Sequence, residues 1–340
     1  MPSRAEICYR SPNEGEELMA TSNGMEIIAL EEHYWDPVIT DTFSGPNSTR
    51  RGELLDRLYN VGDLRIKEMD AAGIDIQVLS HGAPSAQRLD AQTGPAIARK
   101  ANDILRTTVE ARPDRFAGFA ALATAHPESA ADELERCVKD LGFKGAMIHG
   151  LTNGKFCDGE EYWPIYARAE ALDVPIYLHP GYPHPDVVAA YYKDYLGKFP
   201  ALATAGWGYT VETATQAIRM VLSGVFDAHP RLQMILGHMG ETLPFLLWRV
   251  NQALSRVENT QTRSFRDIFE AHFHVTTSGN FSNPALLCTV QEMGVDRIMF
   301  SVDYPFVENR PGVDWAEQLN FSREDREKIL NGNVRRLLRL

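Results

Sequence analysis

The stretch IIALEEHYWDP, residues 27–37, places two carboxylates and an imidazole directly after an apolar run. Side chains alternate along a strand, so Glu31 and His33 can face one side while Glu32 turns away. A carboxylate and an imidazole on the same side are groups that bind a divalent cation or exchange protons with a substrate. The spacing therefore makes this stretch a candidate for metal binding or acid–base chemistry.

Two other apolar runs end in potential metal ligands, His179 in YLHP and Asp303 in FSVDYP. Together with Glu31 and His33 they form a mixed set of nitrogen and oxygen donors, which favours Zn²⁺ or Mn²⁺, with Mg²⁺ as a further possibility. The set contains no thiolate that would favour a purely structural site. We predict one divalent ion bound by these four residues and no organic cofactor.

Each residue also has an ordinary structural explanation. A single histidine at a strand end is often neutral and hydrogen-bonded, so His179 alone would not indicate a ligand. Asp303, before Tyr304 and Pro305, could be a turn or capping residue. Glu32 is expected to support its neighbours rather than bind the ion. What favours the metal site is the coincidence of four potential ligands at the ends of three strands.

Further ionisable residues follow other apolar runs. LGHMGE contains His238 and Glu241, while His81 and His149 follow two earlier runs. His81 and His149 could contact a substrate, and hydrogen bonding to loop backbone is at least as good an explanation of both.

These side chains can meet only if the intervening chain closes the strands around one centre. Short β-rich runs alternate with segments of helical period, such as 211–228, which is typical of repeated βα units. The predicted strands are 27–30, 76–80, 116–122, 145–148, 176–179, 234–237, 275–277 and 298–301. Eight strands, without a G-x-G-x-x-G or Walker A motif, favour a (β/α)8 TIM barrel over an open doubly wound sheet. Barrel active sites lie at the C-terminal ends of the strands.

Two connections are unusually long for this fold. About 45 residues follow the first strand, partly helical near 53–71, and about 30 residues follow the fifth strand. Connections of this length are usually functional lids or interfaces. For the second one, an oligomer contact without a catalytic role is an equally good explanation.

Composition and charge narrow the class of protein. Hydrophobic residues make up 44% and charged residues 24%, as in folded globular proteins, and the formal net charge of −12 disfavours a nucleic-acid partner. Four widely spaced cysteines and the absence of a signal-like or membrane-length apolar run predict a cytoplasmic protein that does not bind a membrane. We expect residues 1–24 to form a flexible extension and 25–340 a single catalytic barrel.

Several motifs together resemble one enzyme family. ALEEHY, RPDRFAGFAAL, LDVPIYLHP, GVFDAHPRLQMILGHMGE, TTSGNF and DRIMFSVDYPF look like the blocks of the amidohydrolase-related decarboxylases. These include γ-resorcylate, 2,3-dihydroxybenzoate, 5-carboxyvanillate and aminocarboxymuconate-semialdehyde decarboxylases, of which the first two are nearest. The resemblance covers about 26–340 and implies a (β/α)8 barrel whose one divalent ion is bound by the same four residues.

The resemblance also implies roles for residues near the ion. His238 would be an active-site histidine oriented by Glu241, and Arg249 in WRV would contact the substrate carboxylate, with a subunit interface as one setting for that contact. We further expect Tyr304 to bind substrate and the chain to form a homodimer or homotetramer. Dihydroxybenzoate-specific relatives usually carry asparagine where this chain has His149 in GAMIHG, so the ring substituents of the substrate stay open.

The implied activity is non-oxidative decarboxylation of an ortho-hydroxylated aromatic acid. A proton from Asp303, or from His238 through it, would reach the ring carbon before CO₂ leaves. A metal-dependent hydrolase of an ester, lactone or amide, using metal-activated water, is the alternative. A third possibility is a metal-stabilised scaffold that binds aromatic acids without turnover.

Overall fold

The computed structural model describes residues 24–44, 51–256 and 263–340. Apart from Gly24, the predicted extension 1–24 lies outside the described residues. Within the described ranges, no helix is both long and apolar enough to span a membrane.

Nine short strands of the described chain form the centre of the fold. They are β1 Ile28–Tyr34, β2 Ile76–His81, β3 Phe116–Gly118, β4 Ala120–Ala121, β5 Ala146–His149, β6 Ile176–His179, β7 Met234–Leu236, β8 Phe273–Thr276 and β9 Ile298–Met299. Every hydrogen-bonded pair is parallel, in the orders β1-β2-β3 and β4-β5-β6-β7-β8-β9. This parallel arrangement confirms the predicted barrel class.

The predicted strand 116–122 is divided at Phe119. The Phe119 amide donates to the Leu79 carbonyl at 2.9 Å, whereas the Ala120 amide donates to the Gly145 carbonyl at 2.9 Å. The Gly118 carbonyl of β3 already accepts from the Lys144 amide at 2.9 Å, so this segment pairs with β2 on one side and with the chain at the start of β5 on the other. β3 and β4 together are therefore the one strand that the sequence predicts.

Helices cover the strands from outside. Those of eight or more residues are Asp63–Ala72, Gly94–Ala111, Pro127–Lys139, Trp163–Leu172, Gly208–Leu222, Leu243–Leu254, Phe265–His272, Asn283–Met293 and Asn309–Glu317. Shorter α-helical segments are Pro37–Thr40, Glu53–Tyr59, Pro185–Val187, Val225–Ala228, His238–Glu241, Arg323–Glu327 and Asn333–Leu338. Segments of 3₁₀ or π helix are Ala86–Arg88, Glu160–Tyr162, Val188–Tyr192, Pro200–Ala203, Val295–Arg297 and Lys328–Gly332, some of which continue directly into α-helices. The predicted helix 211–228 is interrupted at Gly224, whose φ of 85° suits glycine at a helix end.

The first strand is longer than predicted. β1 continues past Leu30 to Tyr34, so Glu31, Glu32 and His33 lie inside the strand, and all of its residues are buried. Its pairing with β2 is irregular between Ala29 and Glu32, and irregularities of this kind are common beside active sites. Buried polar residues can continue the strand because partners elsewhere satisfy them.

Side chains of the strands pack either inside the barrel or into the apolar layers between the strands and the outer helices. Inward-facing residues such as Leu30, Phe119 and Ile235 pack inside the barrel, and Leu338 of the last helix joins them. The side-chain amide Nδ2 of Asn333, in the same helix, donates to the Ile298 carbonyl at 2.7 Å, at the start of β9. The C-terminal helix therefore closes the N-terminal end of the barrel and leaves the other end open.

The first and last strands are joined partly by side chains. The Glu31 amide donates to Ser301 Oγ at 2.8 Å, and the His33 amide donates to the Tyr304 carbonyl at 2.6 Å. The Glu32 carboxylate accepts from the Val302 amide at 2.9 Å and the Tyr304 amide at 3.1 Å. These contacts fix the segment that carries Asp303 against β1.

Candidate active site

Glu31, His33, His179 and Asp303 meet at the C-terminal end of the barrel. One ligand atom from each lies within 4.8 Å of the others. His179 Nε2 is 3.0 Å from Glu31 Oε1, and His33 Nε2 is 3.3 Å from Asp303 Oδ1. The structure thus brings together the four residues that the strand-end pattern selects.

The donor atoms of this cluster fit a divalent cation. Glu31 Oε1 and His33 Nε2 are buried without a hydrogen-bond partner, which is unusual for buried polar atoms. The other ring nitrogens are occupied, since His33 Nδ1 lies 3.1 Å from Ser80 Oγ and His179 Nδ1 lies 2.7 Å from the Pro180 carbonyl. With Nδ1 as the donor, each Nε2 has a free lone pair, as a metal ligand requires.

Charge also favours an ion at this position. Burial opposes ionisation of Glu31, but the imidazoles of His238 and His179 outweigh it and hold the pKa of that carboxyl below its ordinary value. Burial lowers the pKa of His33, which keeps its imidazole neutral. A carboxylate and a neutral imidazole are the ligand forms that divalent metals bind.

His238 stands beside the cluster with a carboxylate behind it. Its Nδ1 donates to Glu241 Oε1 at 2.8 Å, and its Nε2 is 3.8 Å from Asp303 Oδ2. Burial disfavours the charged ring, yet the carboxylates around it, chiefly Glu241 and Glu31, hold the pKa of His238 well above its ordinary value. The surrounding carboxylates thus favour the protonated form of this imidazole, and its Nε2 faces Asp303.

The chain segment that carries His238 is strained. His238, Met239, Glu241 and Thr242 have φ values of 50°, 59°, 52° and 65°, and Gly240 between them has 75°. A non-glycine residue in this left-handed region costs roughly 1–3 kcal/mol. Gly240 is required there for a second reason, because a Cβ would lie 2.9 Å from Val275 Cγ1. Such strain is typical of segments that aim catalytic side chains.

The cluster opens into a cavity of about 880 Å³. Its polar wall includes His179, His238 and Asp303, while apolar groups including Tyr209 and Phe306 form much of the remainder. Aromatic and aliphatic walls with a few convergent polar groups are typical of small-molecule sites. The cavity therefore suits a compact ligand with an apolar body and an anionic or polar end near the ion site.

Comparison with known proteins places this site in a family. The sequence profile described as Amidohydrolase matches residues 32–340. This chain belongs to the amidohydrolase family. It is 41% identical over 326 residues to a γ-resorcylate decarboxylase from Rhizobium radiobacter, an alignment that covers 92% of this chain and 98% of that protein.

Solved structures of family members agree with the fold. A dihydroxybenzoic acid decarboxylase from Polaromonas sp. JS666, with bound manganese and the inhibitor 2-nitroresorcinol, matches at 40% identity and a TM-score of 0.84 over 93% of this chain and 97% of its own. The 5-carboxyvanillate decarboxylase from Sphingomonas paucimobilis matches at 33% identity and 0.86, covering 93% of this chain and 100% of its own. At least one relative of this amidohydrolase therefore has manganese bound in its solved structure.

Two histidines predicted near the site lie behind it in this amidohydrolase. His81 is buried, accepts from the Asp36 amide at 3.1 Å through Nε2 and donates to the Gly82 carbonyl at 2.8 Å through Nδ1. Burial lowers the pKa of His81 to about 4, so its ring is neutral. The backbone thus occupies both nitrogens, as in the second of the two explanations that the sequence leaves open.

His149 is likewise outside the cavity wall. Its Nδ1 lies 2.8 Å from His179 Nδ1, and its Nε2 donates to the His81 carbonyl at 2.8 Å. With His149 Nε2 donating to a carbonyl, its Nδ1 is an acceptor, and it shares the single Nδ1 hydrogen of His179 with the Pro180 carbonyl. His149 therefore contacts a predicted metal ligand directly, and the question of which ring substituents the substrate carries stays open.

Tyr304 and Arg249 are also not brought to the cavity wall of this chain. The Tyr304 hydroxyl donates to Glu68 Oε2 at 2.7 Å, and the Arg65 guanidinium stacks 4.5 Å from its ring centre. Tyr304 is therefore packed on the outer side of the segment that carries Asp303. Arg249 lies exposed on the helix Leu243–Leu254, where a contact to substrate stays a prediction.

Several site residues escape the sequence patterns. Tyr177 and Ser278 both donate to Glu31 Oε2, and Phe306 and Asn280 line the cavity. The only local signal is alternation, because Tyr177 is two residues before His179 and shares its face of β6. Hydroxyl and aromatic residues are too common at strand ends for that signal to select them.

Proposed function

We propose that this protein is a metal-dependent decarboxylase that removes CO₂ from an ortho-hydroxylated aromatic carboxylic acid of the hydroxybenzoate type. The observation that carries the proposal is the cluster of two imidazoles and two carboxylates, with unpartnered Glu31 Oε1 and His33 Nε2, beside His238, whose pKa the surrounding carboxylates raise. A cation centre next to a proton donor is what the reaction needs. The relatives named for dihydroxybenzoates give the substrate class.

The metal ion would be held by Glu31, His33, His179 and Asp303. Manganese in the Polaromonas relative supports Mn²⁺, while the mixed nitrogen and oxygen donors also suit Zn²⁺. When bound, the cation supplies positive charge that attracts the carboxylate and ortho oxygen of the substrate.

The residues of the chain then have to move one proton. Direct loss of CO₂ would leave an aryl carbanion, so the ring carbon that bears the carboxylate is protonated first. His238, held by Glu241, is the proton source, and Asp303 Oδ2 at 3.8 Å from His238 Nε2 is placed to pass the proton on. The bond between the ring carbon and the carboxylate carbon then breaks and CO₂ leaves. The electron pair of that bond stays with the ring and restores its aromaticity.

The cavity supports an aromatic substrate. Phe306 lies 5.7 Å from the His33 ring, centre to centre, and lines the cavity together with Tyr209 and Val307. An aromatic ring against these side chains would lie with its carboxylate towards the ion cluster. Exclusion of water by such walls strengthens the electrostatic attraction of the substrate to the site.

The test is direct detection of CO₂. The protein, loaded with Mn²⁺ or Zn²⁺ in parallel, is incubated with a panel of ortho-hydroxylated benzoates, with para-hydroxybenzoate as the matched control that lacks an ortho oxygen. We expect CO₂ release from ortho-hydroxylated acids only, and loss of release after chelation. Hydrolysis of an ester or lactone panel without CO₂ release would instead support the hydrolase alternative, and binding without turnover would support the scaffold.

A second copy of the chain is the proposed protein partner. The helix Leu243–Leu254 exposes Phe245 at 77% and Trp248 at 66%, and exposed aromatics beside an arginine are typical of interfaces. Phe245 lines the cavity mouth, and Arg249 is four residues further on the same helix face. Burial of that face in an interface would hold the Arg249 guanidinium near the cavity mouth, where it can pair with a substrate carboxylate.

The oligomeric state tests this assembly. Analytical ultracentrifugation of the wild type should give a dimer or tetramer, and Trp248→Glu should shift the distribution towards monomer. A monomeric wild type would contradict the assembly.

A further inference from the structure

Three hydroxyl groups surround one oxygen of Glu31 inside the barrel. Tyr177 and Ser278 each donate to Glu31 Oε2, and Thr276 Oγ1 lies 3.5 Å from the same atom. Thr276 Oγ1 is also 2.7 Å from the Tyr177 hydroxyl and 2.5 Å from Ser278 Oγ. All three residues are fully buried. We name Tyr177, Thr276 and Ser278 the hydroxyl cluster.

The hydrogen atoms of this cluster can be assigned. Each hydroxyl has one hydrogen, and those of Tyr177 and Ser278 are used on Glu31 Oε2. The Thr276 hydroxyl can donate to the oxygen of Tyr177 at 2.7 Å or of Ser278 at 2.5 Å, and both contacts are shorter than its 3.5 Å contact with Glu31 Oε2. Glu31 Oε2 is therefore saturated with donors, whereas Oε1 of the same carboxylate is buried without any.

The backbone closes the remaining side of Oε2. A Cβ on Gly237 would lie 2.6 Å from Glu31 Oε2 and 3.2 Å from the Tyr177 hydroxyl. A residue with a side chain at 237 would push the carboxylate out of its place. The donors and this close backbone approach together hold the carboxylate in one orientation, with Oε1 towards His179 Nε2 at 3.0 Å.

We propose that the hydroxyl cluster makes Glu31 a ligand through Oε1 alone, and so fixes both the affinity of the metal site and the room left at the ion. A carboxylate without these donors can turn and offer both oxygens to a cation. Held by the cluster, Glu31 contributes a single oxygen. The room that this leaves suits a substrate with two neighbouring oxygens, and this last step rests on the proposed function. Tyr177, Thr276 and Ser278 are positioning residues, because they act through Glu31.

The experiment compares two buried tyrosines. Tyr177→Phe removes one donor to Glu31, whereas the matched control Tyr166→Phe removes a hydroxyl that donates to the Cys157 carbonyl at 2.6 Å, away from the ion cluster. Mn²⁺ affinity is measured by competition with a chelator of known affinity. We expect Tyr177→Phe to weaken Mn²⁺ binding about 10- to 100-fold, as outer-shell substitutions at metal sites typically do, and Tyr166→Phe to leave it unchanged. Equal affinities for wild type and Tyr177→Phe would overturn the proposal.

A spectroscopic measurement separates positioning from a general loss of packing. The electron paramagnetic resonance spectrum of bound Mn²⁺ depends on the arrangement of its ligands. It should change in Tyr177→Phe and in Ser278→Ala but not in Tyr166→Phe. If Tyr177→Phe does not fold, Ser278→Ala, which removes the other donor, decides the question. Unchanged spectra in the folded variants would show that the hydroxyl cluster has only a packing role.

Failure of this inference can be told from failure of the proposed function. Both measurements use Mn²⁺ alone and need no substrate. If the wild type releases no CO₂ from any acid while the Mn²⁺ affinities differ as expected, the decarboxylase proposal fails and the hydroxyl cluster keeps its role. If CO₂ is released but the affinities and spectra are unchanged, the hydroxyl cluster proposal fails.

Discussion

The adjacent carboxylates of Glu31 and Glu32 share a strand and are both fully buried, yet their surroundings differ. Glu31 has donors on one oxygen only, and its other oxygen faces the imidazoles of the ion cluster. Glu32 has donors on both oxygens, with Ser301 Oγ at 3.1 Å and the Val302 amide at 2.9 Å on Oε1, and the Tyr304 amide on Oε2. One carboxylate keeps an unused acceptor, and the other keeps none.

This difference separates chemistry from structure within one strand. A saturated buried carboxylate lowers the cost of burying the groups that donate to it, so it stabilises the fold. A buried carboxylate with an oxygen that lacks a donor costs free energy of folding unless a cation binds that oxygen. Burial raises the pKa of Glu32 to about 8, whereas imidazoles hold the pKa of Glu31 down. Unused hydrogen-bonding capacity, rather than burial or charge alone, marks the functional residue.

Asp303→Asn should have the largest effect, because it removes a charged member of the ion cluster around Glu31 and leaves the hydrogen bonds of Glu32 in place. The change removes a charged ligand and the proton route from His238, so we expect kcat for CO₂ release to fall at least about 10³-fold. The free energy of unfolding of the metal-free protein should stay within about 0.5 kcal/mol of wild type. Steady-state rates and denaturant unfolding measure the two quantities.

The control for this prediction is Asp63→Asn, which alters a carboxylate that is 97% exposed at the start of an outer helix. It should retain full activity. A near-normal rate for Asp303→Asn would remove Asp303 from the mechanism.

The metal ligands could be predicted from sequence because their signal is local. Glu31, His33 and His179 directly follow or end apolar runs, and alternation sets the side of the strand on which each lies. The barrel then brings strand ends together whatever their separation along the chain. The four-residue cluster is accordingly found where the pattern places it.

Other features depend on contacts that no local pattern contains. β1 extends to Tyr34 because donors some 270 residues away, on Val302 and Tyr304, satisfy Glu32. The left-handed run of His238 to Thr242 contains one glycine, so residue preferences do not indicate it, and the ionic contact of His238 with Glu241 helps to hold it. The hydroxyl cluster likewise needs β6 and the end of β8, which lie on either side of β7, to meet the Glu31 side chain of β1 inside the barrel.

Glu32→Ala should have the second largest effect, on stability rather than chemistry. It leaves two buried backbone amides and the Ser301 hydroxyl without their acceptor, and we expect a loss of about 3 kcal/mol in the free energy of unfolding. Denaturant unfolding of the metal-free protein measures this loss without a contribution from the ion. Glu53→Ala, at a side chain that is 87% exposed, should change stability by less than about 0.5 kcal/mol.

A second outcome sharpens the role of Glu32. Because Glu32 anchors the segment that carries Asp303, any folded Glu32→Ala protein should also bind Mn²⁺ more weakly. If stability were unchanged, the saturated carboxylate would have no structural role, and the contrast with Glu31 would lose its basis.

His149→Asn should have the smallest effect and tests whether the contrast extends beyond β1. Both ring nitrogens of His149 have hydrogen-bond partners, the His81 carbonyl and His179 Nδ1. Like Glu32, His149 therefore has no unused hydrogen-bonding capacity, and we expect it to support the site and not to contact the substrate. We expect Mn²⁺ to bind about 10-fold more weakly, at the lower end of the effects seen for residues that hydrogen-bond to a metal ligand. The ranking of hydroxybenzoates by their rate of CO₂ release should not change. A ranking that shifts towards dihydroxybenzoates with unchanged Mn²⁺ affinity would instead make His149 a reader of ring substituents. In that case a residue whose hydrogen-bonding groups all have partners could still determine substrate specificity. The difference between Glu31 and Glu32 would then apply to carboxylates only.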